Sequence, residues 1–331
     1  MDASSRLSRR AFAQLALAVP LAGRLLPAAA QGGTAPGRLL VGYPPGGTLD
    51  TTARQLVEAW RRQGRSYMVD NRVGAAGRIA SSLLKRERPD AGTLLCTQTS
   101  ALTIYPHVYT RLMYDPAKDL QPVSPVVTAT CALGVSGAVP ASVKNLQDYL
   151  AWVRHAPAHA SYASPAAGSV AHFLGYRLSE AAGLKLEHVG YRGSAPAMQD
   201  LIGGQIPAYF GFVADFLPYM AQGRIRILAV SGEKRSRFLP QVPTFAEQGF
   251  AAIRGAETYG IFAPPGTPEA TLNALHASIE RASRDPALVA AFEQVGLEPG
   301  TLAPRDYAAL IEREREAWGP AVRASGFRFE E

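Results

Sequence analysis

The chain has 331 residues, 47% of them hydrophobic, with 34 Lys and Arg against 27 Asp and Glu, a formal net charge of +7. That length can bury two cores, and the small, scattered positive excess lacks the clustered basic residues and interleaved aromatics of a nucleic-acid surface. Two cysteines and six dispersed histidines show no metal-ligand spacing, and His155 and His159 straddle Pro157, so neither a metal nor another cofactor is expected.

Residues 1–30 read as an address. Ser8-Arg9-Arg10-Ala11-Phe12 is a twin-arginine pattern, the apolar run 13–26 is broken by Pro20 and Gly23, and Ala28-Ala29-Ala30 is a cleavage site. The run is too short to span a bilayer and no later segment is long enough, so a mature chain of net charge +4 is expected in the periplasm, not inserted in a membrane.

The first strand, 38–43, runs into Tyr43-Pro44-Pro45-Gly46-Gly47-Thr48-Leu49-Asp50 and a helix over 49–63. Two glycines allow close approach, and the N–H groups of Gly46, Gly47 and the helix start at Thr48, with the positive end of the helix dipole, suit a carboxylate. The same residues also suit an ordinary turn with Thr48 as N-cap and Asp50 in the first helical turn. Strand 66–69, helix 76–88 and strand 93–96 continue the alternation, the pattern of βαβ units and a parallel sheet with helices on both faces. A looser stretch, 97–125, follows. Cys96 and Cys131 both lie in apolar strand-like runs, leaving open whether they pair.

A second alternating series begins at Val143, Leu146, Leu150 and Val153, one face of a helix, with strands at 160–163, 186–191, 206–212 and 225–230. It reads as a second α/β lobe. After 264–268 only helices are expected: Leu272, Leu275 and Ile279, then 288–295, then Tyr307, Ile311, Trp318 and Val322. Helices without new strands must cover an existing sheet, so this tail should return to the first lobe.

The second lobe repeats the opening device. Residues 163–170 join strand to helix through Ser164, Gly168 and Ser169, with Ser169 a cap; 190–196 do so through Tyr191, Gly193 and Ser194, with Ser194 a cap and Pro196 in the first turn. Each is a plain helix cap or an anion seat, and all three fall at strand carboxyl ends, where α/β clefts take ligands. Catalytic patterns are missing. Gly134-Val135-Ser136-Gly137-Ala138 is one residue short of a nucleophile elbow, and neither nucleotide-binding glycine motif is present. An exported ester hydrolase using Ser164, Ser169 or Ser194 would need a general base that the sequence does not place.

The motifs at 44–50, 70–77, 89–95, 191–205 and 263–268 together resemble the Bug-type periplasmic receptors of tripartite tricarboxylate transporters, in consistent order from about residue 38 to 326. The resemblance implies a two-lobed α/β binding protein of the Venus-flytrap type, not an enzyme, each lobe a mostly parallel sheet flanked by helices, with the ligand cleft between them. Lobe 1 would comprise 36–128 and 259–331, lobe 2 129–258. It implies a monomer that captures a small organic carboxylate and hands it to membrane transporter subunits, or to a sensor protein. The loop from Tyr43 and Pro44 through Gly46, Gly47 and Thr48 to Asp50, and that of Tyr191, Gly193, Ser194 and Ala195, would grip one carboxylate from opposite lobes. Thr99, Ser100, Ser164, Gly168 and Ser169 would line the rest. Two departures concern the ligand: Thr48-Leu49 replaces the usual residues of the first loop, and Gly211 with Phe212 stands where an acid is common. The latter argues against an ammonium group there and for an apolar or aromatic body against Phe212. Glu257 has no assigned role.

Overall fold

The computed structural model describes residues 36–329. The expected leader, with its arginine pair and expected cleavage site, lies outside the described residues. In chain order, β1 (Gly37–Val41) leads to α1 (Thr48–Arg62), β2 (Tyr67–Asn71), α2 (Arg78–Leu84), β3 (Thr93–Gln98), the short α3 (Ser100–Thr103) and α4 (Tyr105–Val108), and β4 (Gln121–Ser136). Next come α5 (Leu146–His155), β5 (Ser161–Ser164), α6 (Val170–Ala182), β6 (Glu187–Gly190), α7 (Ser194–Ile202), β7 (Ala208–Phe212), α8 (Val213–Phe216) and β8 (Ile225–Val230). The chain returns through β9 (Ala256–Ala263) and ends with α9 (Glu269–Ser283), α10 (Pro286–Gln294), β10 (Glu298–Pro299) and α11 (Pro304–Ser325).

Strands order as β2-β1-β3-β9-β4-β7-β5-β6, with β8 and β10 also on β4. The expected parallel ladders are present in both halves, β1 with β2 and β3, and β5 with β6 and β7. The centre is antiparallel: β9 runs against β3 and β4, and β4 runs against β7 and β8. The fold is therefore a mixed α/β, two-lobed one. The 16 residues of β4 take part in both strand groups, pairing β9 from Gln121 to Thr130 and β7 from Cys131 to Val135.

In the first half Ala53, Leu56 and Trp60 of α1, all fully buried, join Leu39, Leu94 and Leu95 of the sheet in one hydrophobic core. The tail does come back to this half: α9 contacts α1 and β4, α11 contacts α3 and β4, and Arg62 on α1 pairs with Asp285 at 2.6 Å. It is not helical throughout, because Glu298 and Pro299 pair with Thr128 and Val127. α11 also reaches α6, where the Arg177 guanidinium lies 4.3 Å from the Trp318 ring centre. Helix 76–88 is shortened to α2 by a left-handed turn at Ala75, Ala76 and Gly77. Cys96 and Cys131 are buried free thiols.

Candidate functional site

The turns after β1, β5 and β6, with the ends of β3, β7 and β9, surround one cavity of about 510 Å³, a size suited to a small molecule. Of the residues expected at a site, Tyr43, Pro44, Gly46, Gly47, Thr48, Ser100, Ser169, Gly193, Ser194, Ala195 and Phe212 line it. Asp50, Thr99, Ser164, Gly168 and Tyr191 do not; each turns to a protein partner instead.

At the first turn the N-cap is Gly47, with no side-chain cap bond, and Thr48 is the first helical residue. Asp50 is 1% exposed. Its Oδ2 accepts the Gly46 N–H at 2.9 Å and Arg54 Nε at 2.8 Å, and its Oδ1 accepts Asn71 Nδ2 at 2.8 Å. The Gly46 N–H is thus spent inside the loop and not offered to a ligand. The donors left are those of the helix start, at Gly47, Thr48 and Leu49, which have no partner within the helix. Asn71 Nδ2 also donates to the Tyr43 carbonyl at 2.9 Å, fixing the strand end. Burial alone would raise the Asp50 pKa, but hydrogen bonds from Arg54, Gly46 and Asn71 outweigh it and hold the carboxylate below its usual range.

At the second turn Ser169 caps α6 as expected, accepting the His172 N–H at 3.2 Å. Ser164 faces inward, with its hydroxyl 3.0 Å from the Ala166 carbonyl and 2.8 Å from His188 Nε2. His188 stacks on His172 at 3.7 Å, and His172 Nδ1 accepts the Gly168 N–H at 3.1 Å. Burial, then the neighbouring His188, pushes His172 down to about 3; burial pushes His188 down to about 4. Ser164 and His188 are thus hydrogen-bonded neighbours, and the His188 tautomer sets which of them donates. This pair lies off the cavity lining and does not supply the hydrolase with its missing base.

At the third turn the cap is Gly193, at φ 108°, not Ser194. Its N–H donates to the Pro165 carbonyl at 2.8 Å, tying two turns together. The Ser194 hydroxyl goes to the Asp215 carboxylate, and the Tyr191 hydroxyl donates to Asp200 at 2.6 Å. Arg192, exposed in the lining, was overlooked, although it is the one charged side chain within this turn.

The floor holds most of what sequence reasoning missed. Gln98 Nε2 donates to the Tyr43 hydroxyl at 2.6 Å and the Tyr105 hydroxyl at 3.2 Å, and both phenols reach the Ala76 carbonyl, at 3.1 and 3.2 Å. Glu257, on β9, accepts the Ser100 N–H at 3.0 Å and the Thr99 hydroxyl at 3.1 Å, both on Oε1. Burial raises it to about 7 against those hydrogen bonds. Asp215, also raised by burial, accepts the Phe212 N–H at 2.9 Å and the Tyr209 hydroxyl at 3.0 Å. A Cβ at Gly211 would sit 2.8 Å from Asp215 Oδ2 and 2.1 Å from the Tyr209 ring. The glycine therefore does not leave the cavity without acids; Asp215 and Glu257 both line it.

The chain matches the model of the tripartite tricarboxylate transporter family receptor (TctC) over residues 52–327. It is similar to a UPF0065 protein of Bordetella bronchiseptica, 33% identical over 91% of this chain and 87% of that one. Protein BugT of Bordetella pertussis is 30% identical over 96% and 98%. Among solved structures it is similar to R. palustris Rpa4515 with adipate, at 28% identity and a TM-score of 0.82, covering 89% of this chain and 98% of that one. Among the described residues no helix is long and apolar enough to cross a membrane.

Proposed function

We propose, from the premise that the chain belongs to the tripartite tricarboxylate transporter receptor family, that it is a periplasmic receptor which captures a small organic carboxylate and delivers it to membrane transporter subunits. The observation that carries this reading is the convergence of two helix starts, α1 at Gly47–Leu49 and α7 at Ser194–Ala195, on one cavity that also receives Arg192. Unpaired N–H groups and positive dipole ends favour an anion, each charge-assisted hydrogen bond being worth about 1.5–3 kcal/mol. That Rpa4515 is described with adipate supports the ligand class.

The lobes in this reading are 36–128 with 259–331, and 129–258. Thr128 and Thr258, at the two boundaries, are register partners on β4 and β9, a place for a hinge between them. Export would follow the twin-arginine route. Calorimetry of the purified protein against mono-, di- and tricarboxylates, adipate included, tests the reading. Saturable binding of at least one acid is expected, and no binding at millimolar concentration of any would refute it.

A further inference from the structure

Glu257 lies two residues before Tyr259 on β9, so both side chains leave the strand on one face, and both line the cavity. Glu257 is 2% exposed. Neutral donors surround it, the Ser100 N–H and the Thr99 hydroxyl on Oε1 and the Ser100 hydroxyl as well, and among the described residues it has no cationic partner. The Asp215 carboxyl lines the same floor. Phe212 and Tyr259 line the cavity too, and their rings meet edge to face with centres 6.4 Å apart. A buried acid without a cation either keeps its proton or waits for a cation to arrive. Acids beside ring faces complement a cation better than any other small group.

We propose that the ligand is a zwitterion, a carboxylate carrying a protonated nitrogen, with its carboxylate at the starts of α1 and α7 and its nitrogen against Glu257. This rests on the carboxylate reading above and names what occupies the other end of the cavity. A second carboxylate would meet Glu257 and Asp215 instead, while the charged Arg192 belongs to the α7 turn. Glu257 so becomes the specificity-determining residue, and the missing acid at Gly211 is made good by a side chain from β9. A Glu257 pKa near 7 fits this role, because its proton leaves at little cost when a cation replaces it.

The test is calorimetry of the full mature chain with length-matched straight-chain acids: unsubstituted monocarboxylates, hydroxy acids, α- and ω-amino acids, and dicarboxylates. The best amino acid is expected to bind at least tenfold tighter than its unsubstituted match. Glu257→Gln should abolish that advantage, read as the ratio of amino acid to unsubstituted-acid affinity within the variant, since the amide oxygen can still accept from Ser100 and Thr99. The amino acid advantage should grow between pH 6 and pH 8 in the parent protein and not in the variant. The variant comparison is needed there because Glu314 on α11, also raised to about 7, faces the same carboxyl, as do Tyr43, Cys131, Tyr259 and Tyr307. Hydroxy acids matching amino acids would overturn the cation. Dicarboxylates binding tightest, with affinity lost as pH rises, would overturn it in favour of a protonated Glu257 donating to a second carboxylate. Both outcomes are read on the parent protein, whether or not the variant folds. If unsubstituted acids bind but nitrogen adds nothing, only this inference fails. If no acid binds, the carboxylate reading falls and takes the inference with it.

Discussion

Asp50→Asn should loosen the first turn without touching the cavity lining. The amide keeps one acceptor, whereas the carboxylate now serves three donors: Gly46 N–H and Arg54 Nε on Oδ2, Asn71 Nδ2 on Oδ1. With its oxygen toward Gly46 and Arg54, the new NH₂ faces the Asn71 NH₂. Turning Asn71 over would relieve that clash but lose its bond to the Tyr43 carbonyl and the Arg54 bond to its Oδ1. One charge-assisted hydrogen bond at a buried site is worth about 1.5–3 kcal/mol. The Arg54 ion pair adds only about 0.3–0.5 kcal/mol, because Arg54 is half exposed and four residues away on one helix. A loss of about 2–3 kcal/mol corresponds to a melting point lower by about 4–8 °C. Binding should weaken about three- to tenfold, since the donors at Gly47–Leu49 lie on the loop that Asp50 braces. The assay is calorimetric melting at pH 7.5 with titration of whichever carboxylate the panel identifies. A variant that melts within about 1 °C of the parent and binds equally well would refute the brace.

Glu257→Gln should melt higher than the parent at pH 8, with the advantage fading toward pH 4.5. The folded pKa of about 7 lies above the unfolded value, so raising the pH through this window ionises the unfolded chain while the native carboxyl keeps its proton, a stability loss of about 3 kcal/mol, which melting curves at pH 4.5, 6 and 8 would expose or deny. His172→Asn should flatten the acid sensitivity of the fold. A neutral buried imidazole with folded pKa near 3 costs about 1.4 kcal/mol per pH unit below 6.5, as the unfolded chain takes up the proton; urea denaturation at pH 6.5, 5.5 and 4.5 giving equal slopes for parent and variant would contradict this. Gly47→Val should weaken binding at an unchanged melting point, because its φ is −78° and an added Cβ meets nothing nearer than the Pro44 carbonyl at 3.9 Å. Gly193→Val should lose both, since φ 108° strains any residue with a Cβ; Ser136→Ala, outside the cavity lining, is the binding control, and equal affinities across all three would count against the two-turn grip.

What was legible in the sequence is what local chemistry decides. Ser169, at φ −80°, caps its helix as its residue type predicts, because its hydroxyl can give its proton to the Ala166 carbonyl and still accept the His172 N–H. The other two caps slipped by one residue. Gly193 adopts a φ that serine avoids, so it takes the cap and frees the Ser194 hydroxyl for Asp215. At the first turn the Pro-Pro-Gly-Gly signal located the loop correctly, but the bond from Gly46 to Asp50 depends on the helix direction, which no residue count supplies. Glu257 stayed without a role because its partners, Thr99 and Ser100, are brought to it by β9 pairing with β3, a contact between distant parts of the chain. Likewise, no pattern within 121–136 announces that β4 serves both halves, since its two sets of partners lie far downstream.

The position of β9 has a consequence for how the chain folds. β3 and β4 are close in sequence, yet they are not neighbours in the sheet; Leu95 pairs with Phe262, and Pro122 pairs with the same Phe262 from the other side. Until β9 arrives, a gap one strand wide stands open in the middle of the first half, with an unsatisfied edge on either side. Nucleation there must close a loop that contains the entire second half, so the slow phase of folding should track β9 insertion. The second half, whose strands β5, β6 and β7 follow one another closely, can form earlier. Chains cut short before Ala256 should accumulate as a folded second half with an aggregation-prone first half attached, a species that would bind chaperones and never reach the native state.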